Sequence, residues 1–246
     1  MYHGIKALMY SADVSGEMEV EDEELTGLDK WISEHFSDEK ASALIIGLAA
    51  VLGVAFSIGL FILLPTAITG LIGLVWKTMP LWFRSVLEGI IKVAIFMGYL
   101  FLCSRMKEIH RVFEYHGAEH KTIACYEAGD PLTVENVRKY TRFHPRCGTS
   151  FLILVVIVSV FLYSVLPWGS IGLRVLFKLL LLPLVMGISY ELLKWCGRSD
   201  NIATRIIRQP GIWVQHLTVF EPDDSMIEVA ITAMKAVIPD DGSDEW

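Results

Sequence analysis

The sequence predicts an all-α integral membrane protein with about four transmembrane helices. Of its 246 residues, 53% are apolar, and two long stretches carry no charge, one between Lys40 and Lys77 and one between Arg146 and Arg174. A helix needs about 20 apolar residues to cross a bilayer, so each stretch is long enough. Core helices of a soluble protein are the alternative, and uncharged runs of this length argue against it.

The apolar runs, and the prolines and charged residues that interrupt them, set the limits of the predicted spans. Pro65 closes the first span, and residues 66–80 remain apolar enough to lie at the membrane interface or to re-enter as a fifth, short segment. The second and fourth spans carry a few charges within otherwise apolar sequence. We expect the spans at about residues 42–64, 82–104, 149–167 and 172–194.

The distribution of basic residues predicts the orientation in the cell membrane. The segment from Arg105 to Arg146 carries eight basic residues, whereas the connection around Lys77 and Arg84 has two. The segment should therefore be cytoplasmic, and four spans then place both termini in the cytoplasm. A fifth full span would place the N-terminus outside. The four cysteines show no disulfide spacing, which agrees with a reducing compartment.

Outside the spans, the chain divides into three polar parts. An acidic N-terminal segment (1–41) with an amphipathic helix around Leu28–Phe36 precedes the first helix pair (42–104). A helical central segment (105–148) follows, then the second helix pair (149–195). The C-terminal segment (196–246) has a helical stripe from Ile227 to Ile238 and an acidic tail. No signal peptide is predicted, and no basic patch interleaved with aromatic residues suggests a nucleic-acid partner.

The central segment contains a pattern typical of metal-dependent hydrolases. His116, Glu119 and His120 follow the order His-x-x-Glu-His, which is that of the inverted zinc-hydrolase motif. On a helix the two histidines lie one turn apart, about 40° around the axis. Their imidazoles can therefore share a divalent metal ion, for which zinc is the first choice. Glu119 is then the natural base for a metal-bound water.

A second cluster, His144-Pro-Arg-Cys147, supplies candidates for a third ligand. His144 is the preferred ligand and Cys147 its competitor. A site that used both would be closed and structural rather than catalytic. Glu127 lies about 10 Å further along the helix axis than His120, so we expect it to support the ligands rather than bind the ion. Arg146 is expected to have a similar supporting role.

Charged residues inside the spans call for a separate interpretation. Glu88 and Lys92 lie one helical turn apart in the second span and can form an ion pair. Lys178 lies within the fourth span, between Arg174 and Glu191. Such residues usually face a bundle interior or a polar cavity, because exposing them to lipid is costly. A substrate cavity and a set of internal ion pairs both remain open.

Three stretches resemble the signature of a known bacterial membrane-protein family, that of the domain of unknown function 1385. They are Phe113–Glu127 (FEYHGAEHKTIACYE), Pro131–Arg138 (PLTVENVR) and Phe143–Phe151 (FHPRCGTSF). Leu87-Glu88-Gly89 and the stretch Gln209–Val237 are similar to the family pattern too. The resemblance implies a metal-dependent enzyme without an established reaction. Family members usually begin with a glycine-rich segment that this chain lacks, which implies a short form or a late start.

Two functions from different classes follow. The first is a membrane-embedded metal-dependent enzyme, a hydrolase acting on a membrane-associated peptide or lipid at the cytoplasmic face. The second is a non-catalytic assembly or accessory protein in which a structural metal folds the central segment. Three protein ligands with an open position favour the enzyme, and four protein ligands favour the accessory protein.

Overall fold

A computed structural model describes residues 38–166 and 170–239, together with residues 6, 7, 10, 11 and 14. Within these residues the regular elements are helices, and no strand occurs among them. The chain divides into two compact units, with the boundary after Gly59. The helix expected around Leu28–Phe36 and the acidic tail 240–246 lie outside the described residues.

The described helices differ in length, from four residues to 28. In chain order they are α1 (Asp38–Ile58), a π-helical turn (Gly59–Leu63), α2 (Leu64–Val75), α3 (Leu81–Cys103), α4 (Lys107–Glu127), α5 (Val134–Val137), α6 (Gly148–Ser164), α7 (Ile171–Arg198), α8 (Ile202–Thr218) and α9 (Asp224–Val237).

Three helical stretches are long and apolar enough to cross a membrane: Gly47–Val75, Leu81–Cys103 and Gly172–Arg198. The first extends past Pro65, which was expected to end it. Pro65 instead lies in the first turn of α2, where the N–H that proline lacks would have no helical partner anyway. The expected span at 149–167 is α6, an apolar helix of 17 residues, about 25 Å long from the rise per residue.

A buried ion cluster joins α2, α3 and α7. Glu88 on α3 forms ion pairs with Lys178 and Arg174 of α7, the latter at 3.0 Å. Its carboxylate also accepts a hydrogen bond of 2.6 Å from the hydroxyl of Thr66 on α2. Charged groups away from water need such partners. The cluster therefore ties α2 and α7 to α3 and fixes how these helices pack.

Glu88 and Lys92 do not form the ion pair that their spacing allows, because Glu88 pairs with Arg174 and Lys178. Lys92 donates instead to the hydroxyl of Ser159 on α6, at 3.0 Å, and its ammonium lies 5.1 Å from the ring centre of Tyr163. Spacing along one helix made the pair possible, but α7 brings two cations to the same carboxylate.

A separate helical group consists of α4, α5 and α9, packed around a small apolar core. Its buried residues are Ala118, Cys125, Val137, Met226, Ile227 and Ile231. After α4, Gly129 has a φ of 76°, a backbone conformation that glycine adopts readily at the end of a helix. Thr133 caps α5 by accepting from the backbone N–H of Asn136. A turn at 104–106 separates α3 from α4.

We predict that Glu88→Ala destabilises the protein by about 3–5 kcal/mol, because it leaves Lys178 and Arg174 buried without their counter-charge. The matched control is Asp200→Ala, which removes an exposed carboxylate that also pairs with two arginines. The measurement is thermal unfolding of the detergent-solubilised protein. Equal shifts in the two variants would contradict the structural role of the buried cluster.

Candidate metal centre

Three side chains from two parts of the chain converge at α4. His116 and His120 lie one turn apart on α4, with ring centroids 4.4 Å apart. Cys147 is the N-cap residue of α6. The ligand atoms of these three residues all lie within 4.8 Å of one another, and both His120 and Cys147 are buried. We call this group the His-His-Cys cluster.

Hydrogen bonds to the backbone set the orientation of both imidazoles. Nδ1 of His116 lies 3.0 Å from the carbonyl oxygen of Thr218, and Nδ1 of His120 lies 2.6 Å from that of Arg142. Because a carbonyl oxygen can only accept, each Nδ1 carries the proton and donates it. In the neutral imidazole each Nε2 then carries the lone pair, which is the arrangement that metal-bound histidines usually show. In the metal-free cluster Nε2 of His116 can also take a proton and donate it to the sulfur of Cys147, and a bound metal ion would displace that proton.

Cys147 supplies a sulfur in the form that binds metals. Its Sγ lies 3.2 Å from Nε2 of His116 and 3.1 Å from the hydroxyl oxygen of Thr149. Burial raises the pKa of the thiol, but hydrogen bonds from His116, His120 and Thr149 outweigh burial and lower it to about 5. The hydrogen bond to Cys147 likewise raises the pKa of His116 against the effect of burial. A thiolate, unlike a thiol, is a metal ligand.

A close backbone approach places the acceptor for His116. The N–H of Phe220, just after α8, donates to the carbonyl oxygen of Phe113 on α4 at 3.0 Å. A Cβ on Gly117 would overlap the carbonyl oxygen of Phe220. The glycine therefore allows the end of α8, with Thr218, to reach α4. Sequence reasoning missed both Gly117 and Thr218, although Gly117 stands inside the motif itself.

His144, the preferred third ligand, does not join the cluster. Its backbone N–H donates to Oε1 of Gln215 at 2.9 Å, and its carbonyl oxygen accepts from Nε2 of the same side chain at 2.7 Å. Nδ1 of His144 accepts from the N–H of Arg146, so the proton is on Nε2, which faces a carboxylate oxygen of Glu127 at 3.5 Å. Burial is the main reason that the pKa of His144 is lowered. Cys147, the competitor, occupies the third position.

The remaining candidates lie around the cluster rather than within it. Glu119 is exposed, and its carboxylate interacts electrostatically with His116. Glu127 forms an ion pair with Arg146 and lies 3.5 Å from Nε2 of His144. Glu88 and Lys92 belong to the buried cluster between the apolar helices and not to this site.

The donor set fits a zinc-like divalent ion. Two imidazole nitrogens and one thiolate are ligands that zinc prefers, in a tetrahedral arrangement. Within the described residues, no fourth His, Cys, Asp or Glu side chain belongs to the group. His116, His120 and Cys147 would thus supply three of the four ligands of a tetrahedral site.

Comparison with known proteins gives the family but no activity. The model of the family described as protein of unknown function (DUF1385) matches residues 1–240. The uncharacterized protein YqhQ of Bacillus subtilis (strain 168) is 35% identical over 241 residues, which is 96% of this chain and 72% of that protein. No solved structure matches the chain. The family model and the long match to YqhQ show that this chain belongs to the DUF1385 family.

Proposed function

We propose that this protein is a multi-pass membrane enzyme whose centre is a divalent metal ion, most simply zinc, held by His116, His120 and Cys147. The convergence of these three ligand atoms within 4.8 Å carries the proposal. The fixed tautomers support it, because both histidines are held with Nε2 available. A random cluster of polar side chains would not require this orientation.

An open coordination position favours catalysis over a purely structural role. Zinc sites that only stabilise a fold use four protein ligands, whereas catalytic sites keep one position for water. A bound zinc ion would lower the pKa of that water toward 7 and so supply a nucleophile. Glu119, exposed and next to His120, would accept the proton at its carboxylate. The reaction class that suits these groups is hydrolysis of a membrane-associated substrate.

A non-catalytic accessory protein is the second candidate, and one observation favours it. Glu119 makes no hydrogen bond to His116 or His120 in the described structure. If it has no role in proton transfer, the metal would serve only to join α4 to α6 and to the end of α8. Such a centre would present the α4–α5–α9 group to a partner.

We further propose four membrane spans, with the polar segment between α3 and α6 in the cytoplasm. α6 contains no charged residue and packs against α3 and α7, both of which are long enough to cross the bilayer. A 17-residue helix can span where flanking residues reach the interface or the bilayer thins locally. The eight basic residues of the central segment support the orientation.

Metal analysis tests the ligand set. His116→Ala and Cys147→Ala should each lower the zinc content from about one ion per chain to near background, because two ligands rarely retain zinc. His144→Ala should keep its metal. The measurement is elemental analysis of the purified, detergent-solubilised protein, with His110→Ala as a control on the same helix. Metal lost from His144→Ala but kept in Cys147→Ala would assign the third position to His144 instead.

Glu119→Gln separates the enzyme from the accessory protein. In the enzyme, the variant should keep its metal but lose about 10²–10⁴-fold in rate, the usual contribution of a positioned base. It should then fail to rescue a deletion strain. In the accessory protein, an amide of the same shape should be tolerated. Full rescue by Glu119→Gln, together with failure of His116→Ala, would exclude catalysis through Glu119.

Cysteine labelling tests the orientation. A cysteine introduced as Glu135→Cys, an exposed position near α5, should react in intact cells only with a membrane-permeant maleimide. Lys77→Cys, before α3, should react with an impermeant reagent because one span lies between the two sites. The unmodified chain gives the background labelling that comes from its native cysteines. Labelling of Glu135→Cys by the impermeant reagent would reverse the topology.

A further inference from the structure

A cavity of about 290 Å³ opens beside the His-His-Cys cluster. Its lining residues come from the end of α4, the segment before α6 and the last part of α7: Glu127, His144, Arg146, Tyr190, Leu193 and Lys194. His144 separates it from the cluster, and the His144 ring lies only 5.6 Å from the ring of His120. A molecule bound in the cavity would therefore lie close to the proposed metal.

The charges that line the cavity favour an anion. Glu127 is engaged by Arg146 and faces His144. Lys194 is half-buried and has no carboxylate within ion-pair distance among the described residues. Lys194 therefore places an ammonium on the lining with no carboxylate paired to it among the described residues, close to the guanidinium of Arg146. A group that accepts hydrogen bonds from both an ammonium and a guanidinium would complete the site.

Close packing against α7 positions Arg146. A Cβ on Gly197 would come within 2.7 Å of Cγ of Arg146, so the absence of a side chain there allows the arginine stem to pack on the helix. The guanidinium then reaches Glu127 at the cavity wall. Gly197 and Arg146 thus connect the end of a candidate membrane helix to the segment that carries Cys147.

The position of the cavity on α7 indicates an occupant from the bilayer. Tyr190, Leu193 and Lys194 belong to the candidate span Gly172–Arg198. Tyr190 and Trp195 are 50% and 41% exposed near the end of this apolar helix. Exposed aromatic residues with an adjacent lysine are typical of the interface where lipid headgroups lie. The headgroup of a lipid at that interface would therefore lie within reach of the cavity.

We propose that the cavity binds the phosphate group of an anionic membrane lipid, through Lys194 and Arg146. Binding of the lipid in the cavity does not require the metal ion. That the lipid is also the substrate rests on the proposed function, because the cavity presents the headgroup beside His144 and the His-His-Cys cluster. The polar headgroup would occupy the cavity, and the acyl chains would lie along the exposed apolar side of α7.

The test is lipid retention by the full-length protein, measured by native mass spectrometry from mixed micelles of phosphatidylglycerol and phosphatidylcholine. The wild-type protein should retain phosphatidylglycerol preferentially. Lys194→Gln should weaken this retention about tenfold or more, the usual effect of losing a charge-assisted hydrogen bond. Lys235→Gln, which removes the same charge from an exposed position on α9, should behave like the wild-type protein.

Three further variants protect the interpretation. Lys194→Arg keeps the positive charge and should preserve binding, and it provides a folded comparison if Lys194→Gln fails to fold. Gly197→Ala should weaken binding, because the added methyl group would displace Arg146. His120→Ala should lose metal but keep phosphatidylglycerol, so failure of the metal proposal and failure of the lipid proposal can be told apart. Equal retention of the two lipids, or equal effects of Lys194→Gln and Lys235→Gln, would overturn the proposal. So would full displacement by soluble glycerol 3-phosphate or binding of an acidic peptide instead of lipid.

Discussion

The geometry of the candidate centre depends on one close backbone approach, that of Phe220 to α4 over Gly117. This contact brings the carbonyl oxygen of Thr218 within 3.0 Å of the His116 ring. Without that acceptor the ring could rotate, and either nitrogen could face Cys147. A metal site needs ligands that are already oriented, because each rotation that must be frozen on binding costs affinity. The glycine therefore contributes to the chemistry without touching the ion.

Buried ion pairs determine how the apolar helices pack against one another. Glu88 joins helices through Arg174, Lys178 and Thr66, and none of these groups belongs to the His-His-Cys cluster. Buried ion pairs give little net stability compared with apolar packing, but breaking one is costly. Their effect is to select one arrangement of the helices. The arrangement matters for the site because α7 also carries Gly197 and Lys194.

Regular periodicity explains which features were predictable from the sequence. His116 and His120 share a helix, so their spacing alone placed the rings together. The choice between His144 and Cys147 was different, because residues 142–147 form no regular element. Which side chain faces α4 depends on Gln215, a distant residue that holds the backbone of His144 from both sides. The partner of Glu88 was unpredictable for the same reason, since it lies on another helix.

Because Cys147 and not His144 lies in the third ligand position, the net charge of the proposed centre differs from that of a three-histidine site. A divalent ion held by two neutral imidazoles and one thiolate keeps one positive charge, and the ion dominates the local field. Burial lowers the pKa of His144, which favours an uncharged ring between the proposed metal and the cavity. Arg146 and Lys194 line the cavity together with Glu127, and Arg146 pairs with that carboxylate. An anion in the cavity would therefore meet the ammonium of Lys194, with the proposed ion beyond His144. An anionic group in the cavity would lie next to a neutral Nε2–H donor, with the metal behind it, which is an arrangement suited to polarising a phosphate or carboxyl ester.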